Sequence, residues 1–240
     1  MPDPSTWNID PQASYLHVCV NETVNGFELS EDNFPWHLFP KDMPVVGDMS
    51  SNIATRKINW NRFSVVYAGA QKNMGPSGCS VIIVKKSLMG FMQKDTPVMC
   101  DWKAFEDAPG TYYNTPPCWA IYVTALNASY MNQMGGLPHY EHIADIKSKM
   151  LYDLIDSSRG YFVNSTDKAF RSRININFRI PGNLALEDKL IAECAKYRII
   201  NIKGHAFNPG IRISSYNAMP IEGVVLLCKI MKKFQSENPI

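Results

Sequence analysis

In the first third of the chain, short apolar runs recur at strand length, each closed by a cluster of turn-forming residues. Tyr15 to Val20, Pro44 to Gly47, Phe63 to Tyr67 and Ser80 to Val84 are rich in Val, Ile and aromatic side chains, the composition of strands. Read as continuous apolar runs, they predict a sheet covered on both faces. From Thr96 to Pro117 the pattern lapses into a long irregular segment of Pro, Gly, Asp and Tyr, of a kind that often carries function. Pro116 and Pro117 then suit the first turn of a helix running through Trp119 to Met134, and Gly135 with Gly136 stops it. A second helix is expected over Tyr140 to Ile155, where Ile143, Ile146, Met150, Leu151 and Leu154 recur at helical spacing. Beyond it, strands at Ile174 to Ile180, Arg198 to Ile202 and Gly210 to Ser214 alternate with helices at Glu187 to Lys196 and Ile221 to Phe234. That pattern predicts a compact α+β unit packed on the first half.

Composition narrows the class. With 240 residues, 45% of them hydrophobic, the chain can bury a core as one large or two small domains. A net charge of +2 without any basic run argues against a nucleic-acid partner. Six cysteines (Cys19, Cys79, Cys100, Cys118, Cys194, Cys228) lack CxxC spacing, so they are expected as reduced core residues. No signal-peptide pattern opens the sequence and no apolar run reaches the ~18 residues of a membrane span, so a cytoplasmic protein without membrane partners is expected. The sequons at Asn21, Asn127 and Asn164 are then expected to carry no sugar. His139 and His142 stand three apart without a completing ligand, so no metal site is expected.

Two residues carry candidate chemistry. The run from Tyr67 to Gly78 places Lys72 in a tight, small-residue turn at the end of a buried strand. An amine attacks a carbonyl only after losing its proton, and burial among Ala and Gly backbone favours the neutral form. Lys72 is therefore a candidate Schiff-base former; the bland alternative is a lysine that snorkels from its turn. Asp48 follows the apolar run Pro44 to Gly47, at the carboxyl end of a strand, where α/β sheets place their sites. Taken alone, an Asp before Ser-Ser is more often a helix cap.

The words around these residues match a family. AGAQKNMGPSG, preceded by GDMSSNIATR and followed by YYNTPPCWAIY, closely resembles the phosphoserine aminotransferases, pyridoxal-phosphate enzymes of fold type I. The resemblance begins at Asp3-Pro4-Ser5-Thr6-Trp7-Asn8, continues at Asn21-Glu22-Thr23, and returns at Lys203-Gly204-His205 and Ser215-Tyr216-Asn217-Ala218. It implies an α/β fold: residues 1–118 as the C-terminal portion of the cofactor-binding large domain, and 119–240 as a connecting helix with a small C-terminal α+β domain. It also implies pyridoxal 5'-phosphate as cofactor, held by Lys72, with Asp48 on the ring nitrogen. Thr23 and Gln71 would be further cofactor contacts, and Asn114 with Thr115 would reach the partner's site in a homodimer. Arg212 would grip the substrate α-carboxylate, since a guanidinium binds a carboxylate through two parallel bonds; His205 would contact the substrate phosphate. The implied reaction moves an amino group from glutamate to 3-phosphohydroxypyruvate, giving O-phosphoserine in serine biosynthesis.

The chain also departs from the family. It opens inside the large domain, and the family's glycine-rich phosphate turn, ring-stacking aromatic and His-Arg pair have no counterpart in its words. Weakened cofactor affinity and an exposed sheet edge are the expectation. Ala206 stands where the family usually has a phosphate-binding Arg. The alternative expectation is a catalytically impaired relative acting as a dimer partner or an expressed fragment.

Overall fold

The computed structural model describes residues 3–240. Nine strands form three sheets: β1 (Leu16–Cys19), β2 (Asn21–Glu22), β3 (Phe27–Glu28), β4 (Val45–Asp48), β5 (Val65–Gly69), β6 (Ser80–Val84), β7 (Asn175–Phe178), β8 (Lys203–His205) and β9 (Asn208–Ser214). The helices are α1 (Trp102–Glu106), α2 (Cys118–Gln133), α3 (Gly136–Ser157), α4 (Leu184–Lys196) and α5 (Ile221–Glu237). The apolar runs build the principal sheet in the order β1-β4-β5-β6, parallel across β1, β4 and β5, with β6 antiparallel at its edge. The expected fold class stands: a mixed α/β body with a smaller α+β unit following it.

One face of this sheet is packed and the other is open, which corrects the expectation of burial on both. Val18, Val45, Val66 and Ala68 enter a core with Leu29, Phe34, Met49 and Phe63. On the other face His17 and Cys19 of β1 and Ile82 of β6 are exposed and Val65 is buried, while Ile83 is exposed at the edge of the packed face. Strands this short cannot distinguish continuity from alternation, because an apolar run in an edge strand looks the same in sequence as one in a core.

In the C-terminal unit, β7-β9-β8 form an antiparallel sheet whose apolar side meets α3, α4 and α5. Ile176, Phe178, Ile211, Leu190, Leu227 and Met231 form its centre, all nearly inaccessible. The strand expected at Arg198 to Ile202 does not form there; Arg198 and Asn201 both take positive φ, 62° and 58°, so the backbone turns and pairing starts at Lys203. The cysteines also differ from expectation. All six are free thiols, but only Cys194 and Cys228 are buried, while Cys19, Cys100 and Cys118 are exposed because they lie at or beside element ends. No helix among the described residues is long and apolar enough to cross a membrane.

The two units meet across a seam of buried polar side chains. Asn21 donates to Ser51 Oγ at 2.7 Å and to Asn175 Oδ1 at 2.8 Å, and its own oxygen accepts the Ser172 hydroxyl at 2.6 Å. Glu28, 3% exposed, accepts from the Arg173 backbone at 3.0 Å, the Arg173 guanidinium at 3.3 Å and Asn52 at 3.2 Å. Asn21 is thus a structural hub rather than a surface glycosylation site.

Helix α3 contributes a different set of residues to the interior from the one its periodicity suggested. Tyr140, Ala144, Lys147, Ser148, Leu151, Leu154 and Ile155 are buried, with Ile143, Ile146 and Met150 at the margin. Lys147, 1% exposed, donates to three carbonyls at the turn before α5: Ser215 at 3.3 Å, Tyr216 at 2.9 Å and Met219 at 2.9 Å. Burial lowers this amine from 10.5 to about 8. Between those values the unfolded chain binds more protons at this site than the folded one, so its contribution to stability rises with pH across that window and is flat below it. The unfolding free energy of the protein, compared with that of Lys147→Met at a series of pH values, is expected to gain up to about 1.4 kcal/mol per pH unit between about pH 8 and 10. A constant difference would show that Lys147 titrates normally.

Candidate active site

The parallel strands bring three residues into register at their carboxyl ends: Cys19 opposite Asp48, and Asp48 opposite Tyr67. The turn carrying Thr23 follows β1 and β2, and the turn carrying Lys72 follows β5. The Lys72 turn is closed by its own backbone. Met74 and Gly75 both donate to the Ala70 carbonyl, at 3.0 and 2.8 Å, and Ala70 itself is fully buried. Gly75 is required by packing, since a Cβ there would lie 2.6 Å from Thr124 Oγ1 and 3.0 Å from Thr124 Cα on α2. Asn73, 4% exposed, ties the turn to both units: its amide donates to the Ser51 carbonyl at 3.0 Å, and its oxygen accepts from Asn217 N at 3.0 Å.

Lys72 and Gln71 line a cleft of about 660 Å³, together with Tyr130 of α2, Tyr140 of α3 and Asn217. Lys72 is half-buried, and among the described residues its amine makes no hydrogen bond and no ion pair. Asp48 is half-buried outside the cleft wall and accepts from Ser50 N at 2.9 Å, which closes a turn; no helix starts there, so it is not a helix cap. Asp48 and Lys72 nevertheless share one electrostatic neighbourhood. Although Cys19 is exposed as a residue, its sulfur is part-buried 3.4 Å from the Asn21 carbonyl, and its thiol is pushed up to about 11 by that desolvation first, then by the charges of Asp48 and Glu22, while Lys72 pulls it the other way.

The remaining candidates divide. Thr23 is half-buried in a turn pressed on the second sheet, where Val24 O accepts from Asn177 and, at 3.1 Å, from Asn208. Arg212 sits on β9 opposite Asn177, and its Nε is buried without a hydrogen-bond partner among the described residues. That buried donor suits an anionic ligand. Gln71 is exposed beside Lys72. Asn114 and Thr115 are exposed ahead of α2 and do not line the Lys72 cleft. His205 also stays outside it; its Nδ1 accepts from Phe207 N at 3.2 Å in the β8–β9 hairpin. Lys147 and Asn73 are additions that periodicity did not reveal. Lys147 had a faint signal, three residues after Ala144 and four before Leu151, on the stripe that is buried.

The aminotransferase class-V family model matches residues 1–227. A phosphoserine aminotransferase of Herminiimonas arsenicoxydans is 39% identical over 237 residues, spanning 99% of this chain and 63% of that one. Phosphoserine aminotransferase 1, chloroplastic, of Arabidopsis thaliana is 41% identical over 228 residues, 95% of this chain and 51% of that one. Among solved structures, the phosphoserine aminotransferase from Bacillus circulans subsp. alkalophilus superposes with a TM-score of 0.88 at 34% identity, covering 95% of this chain and 62% of that one. A PLP-bound phosphoserine aminotransferase from Trichomonas vaginalis gives 0.85 at 34% identity, over 96% of this chain and 63% of that one. The chain therefore spans about half to two thirds of the length of the curated relatives it matches.

Asn73→Ala would leave the Ser51 carbonyl and the Asn217 N–H without their partner, at a cost of about 2–4 kcal/mol. Asn217→Ala removes a single side-chain bond, to the Ala54 carbonyl at 2.9 Å, and should cost about 1 kcal/mol. Urea denaturation midpoints of the two variants check this order, and equal losses would remove Asn73 as the anchor of the turn.

Proposed function

The chain belongs to the class-V aminotransferase family, and from that membership we propose a pyridoxal-phosphate-dependent transaminase that moves the amino group of glutamate to 3-phosphohydroxypyruvate, giving 2-oxoglutarate and O-phosphoserine. The observation that carries this is the unpartnered, half-buried amine of Lys72, one turn beyond the strand ends that present Asp48. The donor set fits the cofactor: an amine for its aldehyde carbon, a carboxylate for its protonated ring nitrogen, and the hydroxyl and amide groups of Thr23 and Gln71 for its oxygens. When bound, pyridoxal phosphate supplies an electron sink for the pair left at the substrate α-carbon.

The chain's own residues do the rest. Lys72 would hold the cofactor, and Nζ, once released, takes the proton from the substrate α-carbon. Asp48 would favour a positive charge on the ring nitrogen. Arg212, whose Nε is buried and unpaired among the described residues, would bind the substrate carboxylate. His205 is proposed at the substrate phosphate, where its ring nitrogens offer a donor.

A homodimer is part of the same proposal. Helix α2 buries only Ala120 and leaves Trp119, Tyr122, Leu126 and Tyr130 more than half exposed, an apolar surface of the kind that marks an interface. Asn114 and Thr115, exposed just ahead of it, would serve a partner's site. Ala206 favours a second reading, an impaired dimer partner, because it is exposed at the hairpin and offers the substrate no donor.

The test is reductive trapping. Borohydride treatment of the protein mixed with pyridoxal phosphate should attach the cofactor to Lys72, mapped by peptide mass. Lys72→Ala should lose the label and the yellow colour. Label spread over surface lysines with Lys72 spared would overturn the enzyme reading and favour the impaired partner. Leu126→Arg should convert the dimer to monomer in sedimentation velocity, and a monomeric wild-type chain would refute the dimer.

A further inference from the structure

We propose that Tyr67 and His17 are positioning residues for the Asp48 carboxylate, joined to it in one hydrogen-bonded chain across the open face of the principal sheet. The proposal rests on the functional reading above only for what that carboxylate then holds.

Asp48 and Tyr67 are register partners on adjacent parallel strands, so their side chains stand on the same face. His17 lies on β1 opposite Val46, one pair back along β4. The Tyr67 ring leans across β4 to reach it: the hydroxyl is 3.0 Å from His17 Nε2, and the two rings are nearly parallel, 27° apart at a centroid distance of 6.0 Å. Burial raises the Tyr67 phenol above its ordinary value, and the charge of Asp48 and a hydrogen bond to it raise it further. Standing beside Asp48 on the same face, the phenol is proposed to donate to its carboxylate. Its oxygen is then an acceptor for His17, which assigns the tautomer: Nε2 carries the proton and donates to Tyr67.

The carboxylate is held from one side by the Ser50 N–H at 2.9 Å, and on this proposal from the other by the Tyr67 hydroxyl, its neighbour in register. Such support fixes a side chain within the tolerance a site requires. Core packing does not explain the pair, because His17 is exposed and Tyr67 only half-buried. The other charged or titratable groups of this neighbourhood are Glu22, Cys19 and Lys72. Lys72 and Asp48 are the opposite charges whose separation the chain would set.

Two arms test the proposal on the full chain. Without cofactor, ring-carbon NMR of Tyr67 follows its ionisation; Asp48→Asn should lower it, and His17→Ala should move the Tyr67 resonance. With pyridoxal phosphate, absorbance titration should show Tyr67→Phe binding about tenfold more weakly. His17→Ala should weaken binding in the same direction, and His17→Gln, which keeps a donor, should restore it. Circular dichroism melts confirm that each variant folds, and His17, being exposed, is the safer site. If the wild-type chain takes up no pyridoxal phosphate, the functional reading fails while the NMR arm still decides this proposal. A Tyr67 ionisation indifferent to Asp48→Asn, or His17→Ala and Tyr67→Phe binding like wild type, would overturn it.

Discussion

The buried polar seam between the two units is the constraint on which the arrangement of the site depends. Apolar contact is non-directional and would tolerate many relative placements of two small cores. The bonds of Asn21 to Ser51 and Asn175, and of Glu28 to Arg173, are directional and buried, so a shift of either unit would strand several polar groups at once. Thr23 and Asp48 come from one side of the seam and Arg212 from the other. Their spatial relation is set by hydrogen bonds that involve none of the three.

The Lys72 turn shows the same logic at shorter range. Its backbone closes on Ala70, its glycine admits α2, and Asn73 fastens it to Ser51 and to Asn217. Asn217 sits in the turn whose carbonyls Lys147 gathers from α3. A lysine without a carboxylate partner is costly inside a protein, and the three carbonyl acceptors are what offset the burial. The Lys72 amine is left without a partner among the described residues while Ala70, Asn73 and Gly75 fix the turn that carries it. Freedom at one atom is secured by constraint at its neighbours.

Part of the chain's outer surface is apolar: Ile82 and Ile83 of β6 and Trp119, Tyr122, Leu126 and Tyr130 of α2 are exposed. Charge is sparse where chemistry is proposed: Asp48, Glu22, Lys72 and Arg212 stand among amides and hydroxyls, which bind oxygen-rich ligands without competing for the charges that do the work.

Sequence by itself determined a good deal here. Apolar runs located β1, β4, β5 and β6, proline and paired glycines bounded α2, and the long words around Lys72, Asp48 and Thr23 pointed to the family and its cofactor chemistry. These are local properties, set by side-chain type and by neighbours within a few positions. Only tertiary structure decided that Lys147 points inward, that one face of the sheet stays open, that the strand expected at Arg198 turns away, and that Tyr67 reaches over β4 to His17. Each of these depends on which element arrives from elsewhere in the chain to cover a face or accept a bond. Burial and long-range hydrogen bonding are properties of pairs of elements, and a one-dimensional pattern does not contain the pairing.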